Sequence, residues 1–441
     1  MKNHVIINNK INSFNNKIYV SGDKSISIRC VLLASQGIGL SKIYNLLESE
    51  DVLNSLKSIK KLGIEYEKKS SHYLIKGFGL SGFKTNKKIN LNAGNSGTFA
   101  RLILGLLVDS KNEIKILGDK SLSKRDFSRV TEPLKQFGAK INSNKNTLPV
   151  KIIGTDFLRP INYEEKLGSA QCKSAVILAA IKTPGTTKIK ARKSRNHTEL
   201  LLKNLGFPIK VMRKKNFDLI EVNGQNNFRG FEYTVPGDIS SSAFFLVLTL
   251  LSKESKLKIM NVNVNKSRTG IIKILNMMNA NIQLKKTKIY KGEAVSDIYV
   301  KGKNNLKSIK CPQELNSSAI DEFLLIFLVA AKSRGISSFK NLSELNKKES
   351  PRLDIAVNFL RKIGVKVIRN KDDIKIYGNS KLELKGKFIM NNFKKDHRVF
   401  MMSCVAALTL GGKWKIHDKD SINSSFPKFL KLIKKLGAKI N

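Results

Sequence analysis

Six stretches of the chain place reactive residue types at the starts of apolar runs. They are "SISIRCVLLAS" (after Asp23 and Lys24), "SGTFARLILGLL", "SAQCKSAVILAAI", "SSSAFFLVLTLL", "DEFLLIFLVAA" and "DHRVFMMSCVAAL". Each begins with Ser, Thr, Asp or Asn, and several carry Lys, Arg or Gln within one turn. A helix start holds roughly half a positive charge and a set of unbonded N–H donors, which makes it an anion site. Three such starts directed at one cleft would suit a polyanion. Read blandly, they are six ordinary caps; the gathering of Lys, Arg and Gln at these starts favours the anion reading.

The elements that must position these residues repeat. A second set of helical runs alternates with the first and ends at Gly63, Gly138, Gly206, Asn279, Gly364 and Gly437, spaced by about one-sixth of the chain. Apolar residues at helical spacing, then Gly or Asn, then an alternating run predict an exposed helix, a left-handed C′ residue and a strand. The six runs of the first set are apolar almost all round and predict buried helices. The expected order in each repeat is strand, exposed helix, strand, buried helix, paired short strands. Six repeats make two domains of three, and near-identical strings mark the halves, "SGDKSISIR" from Ser21 and "PGDISSS" from Pro236. The expected domains are residues 22–237, and residues 1–21 with 238–441, with crossovers near Ser21–Asp23 and Pro236–Asp238.

Composition narrows the class. At 441 residues and 41% hydrophobic content the chain can fill two cores. Its longest apolar runs fall short of the ~20 residues of a membrane span. The first residues have neither a signal-peptide core nor an Arg-rich presequence, and the four cysteines, Cys30, Cys172, Cys311 and Cys404, are too scattered for a disulfide framework or zinc site. The chain reads as cytoplasmic, without metal. Its net charge of +47 admits a nucleic-acid binder, a protein that steers anionic small molecules, or simple drift toward Lys. The lysines are spread rather than striped and there is one Trp, which favours drift.

The motifs in order, "SGDKSISIR", "LNAGNSGTFARLILGLL", "GDKSLSKRDFSRVTEPL", "GSAQCKSAVILAA", "VPGDISSSAFFLV", "DEFLLIFLVAA", "ELNKKESPRLD", "DHRVFMM" and "SFPKFLKLIKKLGAKI", resemble the 5-enolpyruvylshikimate-3-phosphate synthase family over nearly the whole chain. The resemblance implies an α/β fold of two domains, each of three βαβαββ repeats around buried parallel helices, the inside-out α/β barrel of the enolpyruvyl transferases. It implies transfer of the enolpyruvyl group of phosphoenolpyruvate to the 5-hydroxyl of shikimate 3-phosphate, by addition and elimination of phosphate, with no cofactor. By motif position, Lys24, Ser25, Arg29, Ser169, Ala170, Gln171, Arg195, Asp321 and Lys348 resemble the phosphoshikimate contacts. Lys24, Gly97, Arg125, Gln171, Arg352 and Arg398 resemble the phosphoenolpyruvate contacts. Asp321, Glu349 and Lys24 match the catalytic groups, with Asn95 and His397 in support. Arg suits carboxylates and phosphates through paired hydrogen bonds, Lys as a point charge. The family's inhibitor glyphosate would occupy the phosphoenolpyruvate place, where Gly97 leaves room for it. A monomer is the family expectation, with these two anions as partners and neither nucleic acid nor membrane.

The chain departs from the family pattern at Ile28 (usually His), Ser21 and Asp126 (usually Pro), Pro351 (usually Asp) and Ser424 (often Lys). Ser350–Pro351 reads as an N-cap followed by Pro at the first helical position, and Asp126 suits a helix start. Rival readings are the sister enolpyruvyl transferase acting on UDP-N-acetylglucosamine, which has "KN" where this chain has Lys24–Ser25, a basic nucleic-acid-binding protein of related fold, and a catalytically silent paralogue.

Overall fold

The computed structural model describes residues 3–303 and 305–441. The chain divides into two compact units. The first is Gly22–Val235 with Tyr290–Glu293; the second comprises the residues through Ser21, Pro236–Ile289 and Ala294–Asn441. The sequence boundaries had assigned residues 290–293 to the second unit, and their contacts correct this. The Tyr290 hydroxyl accepts from the Thr234 N–H at 2.9 Å, and the Glu293 carboxylate meets Nδ1 of buried His197 at 2.6 Å. Pro236 and Gly237 fall the other way: Gly237 exchanges backbone hydrogen bonds with Asn261 and Asn263.

In chain order the helices are α1 (Lys24–Ala34), α2 (Glu50–Lys61), α3 (Gly97–Leu106), α4 (Ser128–Gln136), α5 (Ala170–Ala180), α6 (His197–Asn204), α7 (Ile239–Leu251), α8 (Gly270–Met277), α9 (Asn316–Ala319), α10 (Phe323–Ala331), α11 (Arg352–Lys362), α12 (His397–Leu410) and α13 (Phe429–Lys435). The helices apolar all round are the buried ones: every residue of α10 and α12 is buried, as is Ile26–Ala34 of α1. Each large apolar side chain so placed stabilises its core by about 2 kcal/mol. The amphipathic helices bury one stripe, as α2 does with Val52, Leu56 and Ile59, and all six end where expected. Gly63, Gly138, Gly206, Asn279, Gly364 and Gly437 all have φ between +69° and +111°.

The order within a repeat differs from the expected one. It runs strand, buried helix, strand, exposed helix, then an antiparallel pair. In one sheet Ile89–Asn92 lies parallel to Ile114–Leu117, which pairs antiparallel with Thr147–Ile153, itself antiparallel to Lys140–Asn144. A parallel pair needs a crossover, and buried α3 supplies it; a left-handed residue after an exposed helix turns the chain into a hairpin instead. Among the described residues there are six sheets of three or four strands, five of them with such a parallel pair; in the sixth, Gly335–Phe339 and Val367–Asn370 both lie antiparallel to Asp373–Gly378.

Closure of each unit draws on strands distant in sequence. In the first, Glu232–Thr234 lies parallel to Lys42–Tyr44. In the second, Asn15–Ile18 lies parallel to Lys256–Ile259, His4–Ile7 pairs antiparallel with Trp414–His417, and Ile6 exchanges two backbone hydrogen bonds with Asn441. One apolar cluster fills each unit.

Candidate active site

In the first unit the starts of α1, α3 and α5 are tied together by polar side chains. Asp23, Ser96 and Ser169 cap them, accepting from the N–H groups of Ile26, Phe99 and Cys172. Arg29 is buried on α1, and all three of its nitrogens are used: on Thr198 Oγ1 (2.7 Å), the Ser25 carbonyl (3.0 Å) and Ser174 Oγ (2.8 Å). Burial, opposed by the nearby charges of Glu199 and Asp23, lowers its pKa to about 10, and Arg195 adds a like charge. Gln171 is fixed at both ends of its amide: Nε2 donates to Thr98 Oγ1 at 2.9 Å and Oε1 accepts from Arg101 Nη1 at 3.1 Å. Arg101 also donates to the carbonyls of Gly97 and Asp126 and stacks on Phe127. Burial lowers its pKa to about 10. Arg125 Nη2 donates to Asn95 Oδ1, and Asn95 Nδ2 to Asp119. Lys24 Nζ pairs with Asp51 at 3.0 Å. Ala170 opens α5, and its neighbour Ser169 donates from Oγ to Cys172 Sγ.

The second unit ties α7, α10, α11 and α12 together with charges of both signs. Arg352, 1% exposed, donates from Nε to Asp396 Oδ2 at 2.8 Å and from Nη2 to Asp396 Oδ1 at 3.2 Å, and also bonds Glu349. Asp321 receives three cations: Lys348 Nζ at 3.4 Å, Arg352 Nη1 at 3.5 Å and Arg398 Nη2 at 3.8 Å. Burial alone would lower the pKa of Arg352, but Asp396 and Glu349 outweigh it and hold the guanidinium above its ordinary value. Burial alone would raise that of Asp396, yet Arg352 and His397 hold it below the usual carboxylate range. Asp396 also caps α12 through the Arg398 N–H and accepts from Ser350 Oγ at 2.8 Å; His397 beside it is buried.

Two helix starts differ from the sequence reading. The sequence predicts Ser350 as the N-cap of α11, but Pro351 occupies that position, and the Ser350 hydroxyl is turned to donate to Asp396. Asn346 Oδ1 receives the N–H groups of Leu353 and Asp354 in its place. At α10 the N-cap position falls on Glu322, whose side chain makes no capping hydrogen bond. Asp126 serves α4 as expected, accepting from the Ser128 N–H at 2.7 Å. Ile28 is in the core, and the Ser424 hydroxyl is turned back onto the Ser421 carbonyl.

Sequence reasoning passed over Arg101, Asp51, Ser174, Thr198, Glu322 and Arg268, and the pairing of Asp396 with Arg352. Some left a signal. Arg101 is a lone cation one turn after Gly97 in an apolar helix, and Glu322 adjoins Asp321. The others are recognised only through partners far away in the chain.

Among the described residues no helix is long and apolar enough to cross a membrane, and no cluster of His, Cys, Asp and Glu is arranged to hold a metal ion. The family model of EPSP synthase (3-phosphoshikimate 1-carboxyvinyltransferase) matches residues 8–433. The 3-phosphoshikimate 1-carboxyvinyltransferase of Vesicomyosocius okutanii subsp. Calyptogena okutanii is 38% identical over 434 residues, 98% of each chain. That of Bacillus pumilus is 36% identical over 425 residues, 96% of this chain and 97% of the relative. A solved EPSP synthase from Acinetobacter baumannii superposes with a TM-score of 0.87 at 33% identity, covering 99% of both chains. The enolpyruvyl transferase NikO from Streptomyces tendae shares the fold, with a TM-score of 0.78 at 14% identity over 99% of this chain and 98% of that one.

Proposed function

The chain belongs to the EPSP synthase (3-phosphoshikimate 1-carboxyvinyltransferase) family, and from that premise we propose how its residues divide the work. The reaction joins the enolpyruvyl group of phosphoenolpyruvate to the 5-hydroxyl of shikimate 3-phosphate and releases phosphate. Its demands are cations for two phosphates and two carboxylates, a base for the hydroxyl, and an acid for the methylene carbon.

Asp321 takes the proton of the 5-hydroxyl, and Glu349 with Lys24 serves the methylene carbon. Arg125, Arg352 and Arg398 take phosphoenolpyruvate, with Gln171 and the backbone at Gly97. Ser169, Ala170, Gln171, Lys348, Ser25 and Arg195 take phosphoshikimate. Arg29 acts from behind: its nitrogens already hold the starts of α1, α5 and α6 in register.

The observation that carries this reading is the cation set around Asp321. Lys348, Arg352 and Arg398 all lie within 3.8 Å of its carboxylate. Without substrate, acids and bases neutralise one another; the anionic groups of the substrates replace the acids on these cations and release Asp321 and Glu349 for proton transfer. The acceptor is shikimate 3-phosphate rather than UDP-N-acetylglucosamine, as the named relatives favour. The enzyme acts as a cytoplasmic monomer on small anions.

The test is phosphate release by the purified protein with each substrate omitted in turn, beside Asp321→Ala. Release requiring both substrates, falling about a thousandfold in the variant, is expected. Release with one substrate alone, or an unaffected variant, would refute the assignment.

A further inference from the structure

Two carboxylates stand side by side before α10, and the reading above uses only Asp321. The second, Glu322, is 1% exposed. Its Oε1 accepts from Ser240 Oγ at 2.5 Å and lies 3.6 Å from Arg398 Nη1. The Ser240 oxygen also accepts from Arg268 Nη2 at 2.8 Å, and Arg268 pairs with Asp238 at 3.1 Å. The same Arg398 nitrogen donates to the Asp321 carbonyl at 3.0 Å. Arg398 is thus gripped by two neighbouring residues, and one grip runs back through Ser240 to Arg268 and the start of α7.

Taking a carboxylate out of water costs several kcal/mol unless charge and hydrogen bonds offset it. Glu322 does not repay that cost by capping, since its side chain bonds no N–H of α10. What its position does offer is a fixed negative charge beside one edge of Arg398, whose side chain keeps 10% of its surface in solvent. A guanidinium held along one edge presents the rest of its fork in one orientation, which suits a carboxylate or phosphate.

We propose that Glu322 is a positioning residue that sets the orientation of Arg398 for phosphoenolpyruvate and is itself held by Ser240 and Arg268. This rests on the assignment of Arg398 to phosphoenolpyruvate. The groups facing Glu322 are Arg398 on α12, Asp321 beside it, Arg268 ahead of α8, itself paired with Asp238, and Ser240 at the start of α7. Burial pushes its carboxyl up, against Arg398, while Asp321 pushes it further up and Arg268 and Ser240 oppose. Protonation removes the charge that grips Arg398. Loss of that grip therefore adds to the acid limb of kcat/KM for phosphoenolpyruvate above the ordinary glutamate value of about 4.3.

The test is steady-state kinetics in both substrates from pH 5 to 9 for the intact enzyme, Glu322→Gln, Ser240→Ala, the double variant and Arg398→Ala. Glutamine keeps the shape and can still accept from Ser240 but carries no charge. Glu322→Gln should raise KM for phosphoenolpyruvate about tenfold, leave KM for shikimate 3-phosphate and Tm unchanged, and move the acid limb to lower pH, leaving the part set by Asp321 and Glu349. Ser240→Ala should raise the same KM by less, and the double variant should match Glu322→Gln alone. A KM within twofold of wild type, or a lowered Tm with both KM values raised alike, would overturn the proposal. The controls separate its failure from that of the premise. Arg398→Ala with an unchanged KM for phosphoenolpyruvate removes the premise; a raised KM there with an unchanged KM in Glu322→Gln removes only the role of Glu322.

Discussion

The two units solve one architectural problem with opposite electrostatics. Each gathers the starts of three buried helices, yet the first holds its buried arginines with neutral oxygens and the second holds its arginines with acids. Arg29 rests on two hydroxyls and a carbonyl, and Arg101 on an amide and two carbonyls. Arg268, Arg352 and Arg398 meet Asp238, Asp396, Glu349, Asp321 and Glu322. The pKa directions follow, down for Arg29 and Arg101 and up for Arg352. Positive charge bonded to neutral oxygens need not be exchanged from an acid when an anion arrives. Charge compensated by acids must be exchanged, and the exchange liberates carboxylates that can move protons.

Substitutions can break this contrast, and the largest effect belongs to Asp396. Asp396→Asn leaves Arg352 buried with its best partner gone, so unfolding in denaturant should show a loss of about 3 kcal/mol. Asp23→Ala, which removes only a cap in the first unit, should lose about 1 kcal/mol; equal losses would erase the distinction. Acid sharpens the same point. Because the folded pKa of Asp396 is depressed, its contribution is present above the ordinary aspartate value of about 3.9 and is lost as pH falls through the lower folded value. Thermal melts from pH 7 to 2 should therefore show a shallower acid loss for Asp396→Asn than for wild type.

Smaller effects are expected on the first unit's side. Arg101→Lys keeps the charge but cannot hold Gln171 Oε1 and two carbonyls at once, so KM for phosphoenolpyruvate should rise about tenfold with kcat little changed. An equal fall in kcat would assign Arg101 a different role. Gly97→Ala is milder: its Cβ would stand 2.9 Å from Arg101 Nη1 and 3.1 Å from Arg125 Nη1, so both guanidinium groups must give way. A rise of about threefold in the same KM, with weaker inhibition by glyphosate, is the outcome to look for in competition kinetics.

Much of this was legible in the sequence because it is local. The left-handed residues after six exposed helices, the caps at Asp23, Ser96, Ser169, Asp238 and Asp396, and the all-round apolarity of the buried helices all follow from residues within one turn. The order of helices in the repeat was misread because periodicity identifies a helix without saying which strands flank it in space. The partners of Arg29, Arg101 and Arg352 were missed because they lie up to 169 residues away, and pattern carries no such distance. Ser350 was misread for a related reason: the N–H groups of Leu353 and Asp354 go to Asn346 Oδ1, while the Ser350 hydroxyl is turned to donate to Asp396, 46 residues on.

The borrowed strands bear on the order in which the protein can be completed as it is synthesised. The first unit has every strand of its sheets once residue 234 has emerged, and then awaits residues 290–293, which bring Tyr290 to Thr234 and Glu293 to His197. The second holds residues 4–18 from the outset, but their partners at 256–259, 414–417 and 441 come later. Its earliest-made strands wait for its last-made ones, and such long loops close slowly. The two halves of a duplicated architecture therefore mature at different times, and the unit that holds its buried arginines with acids is the later one to close.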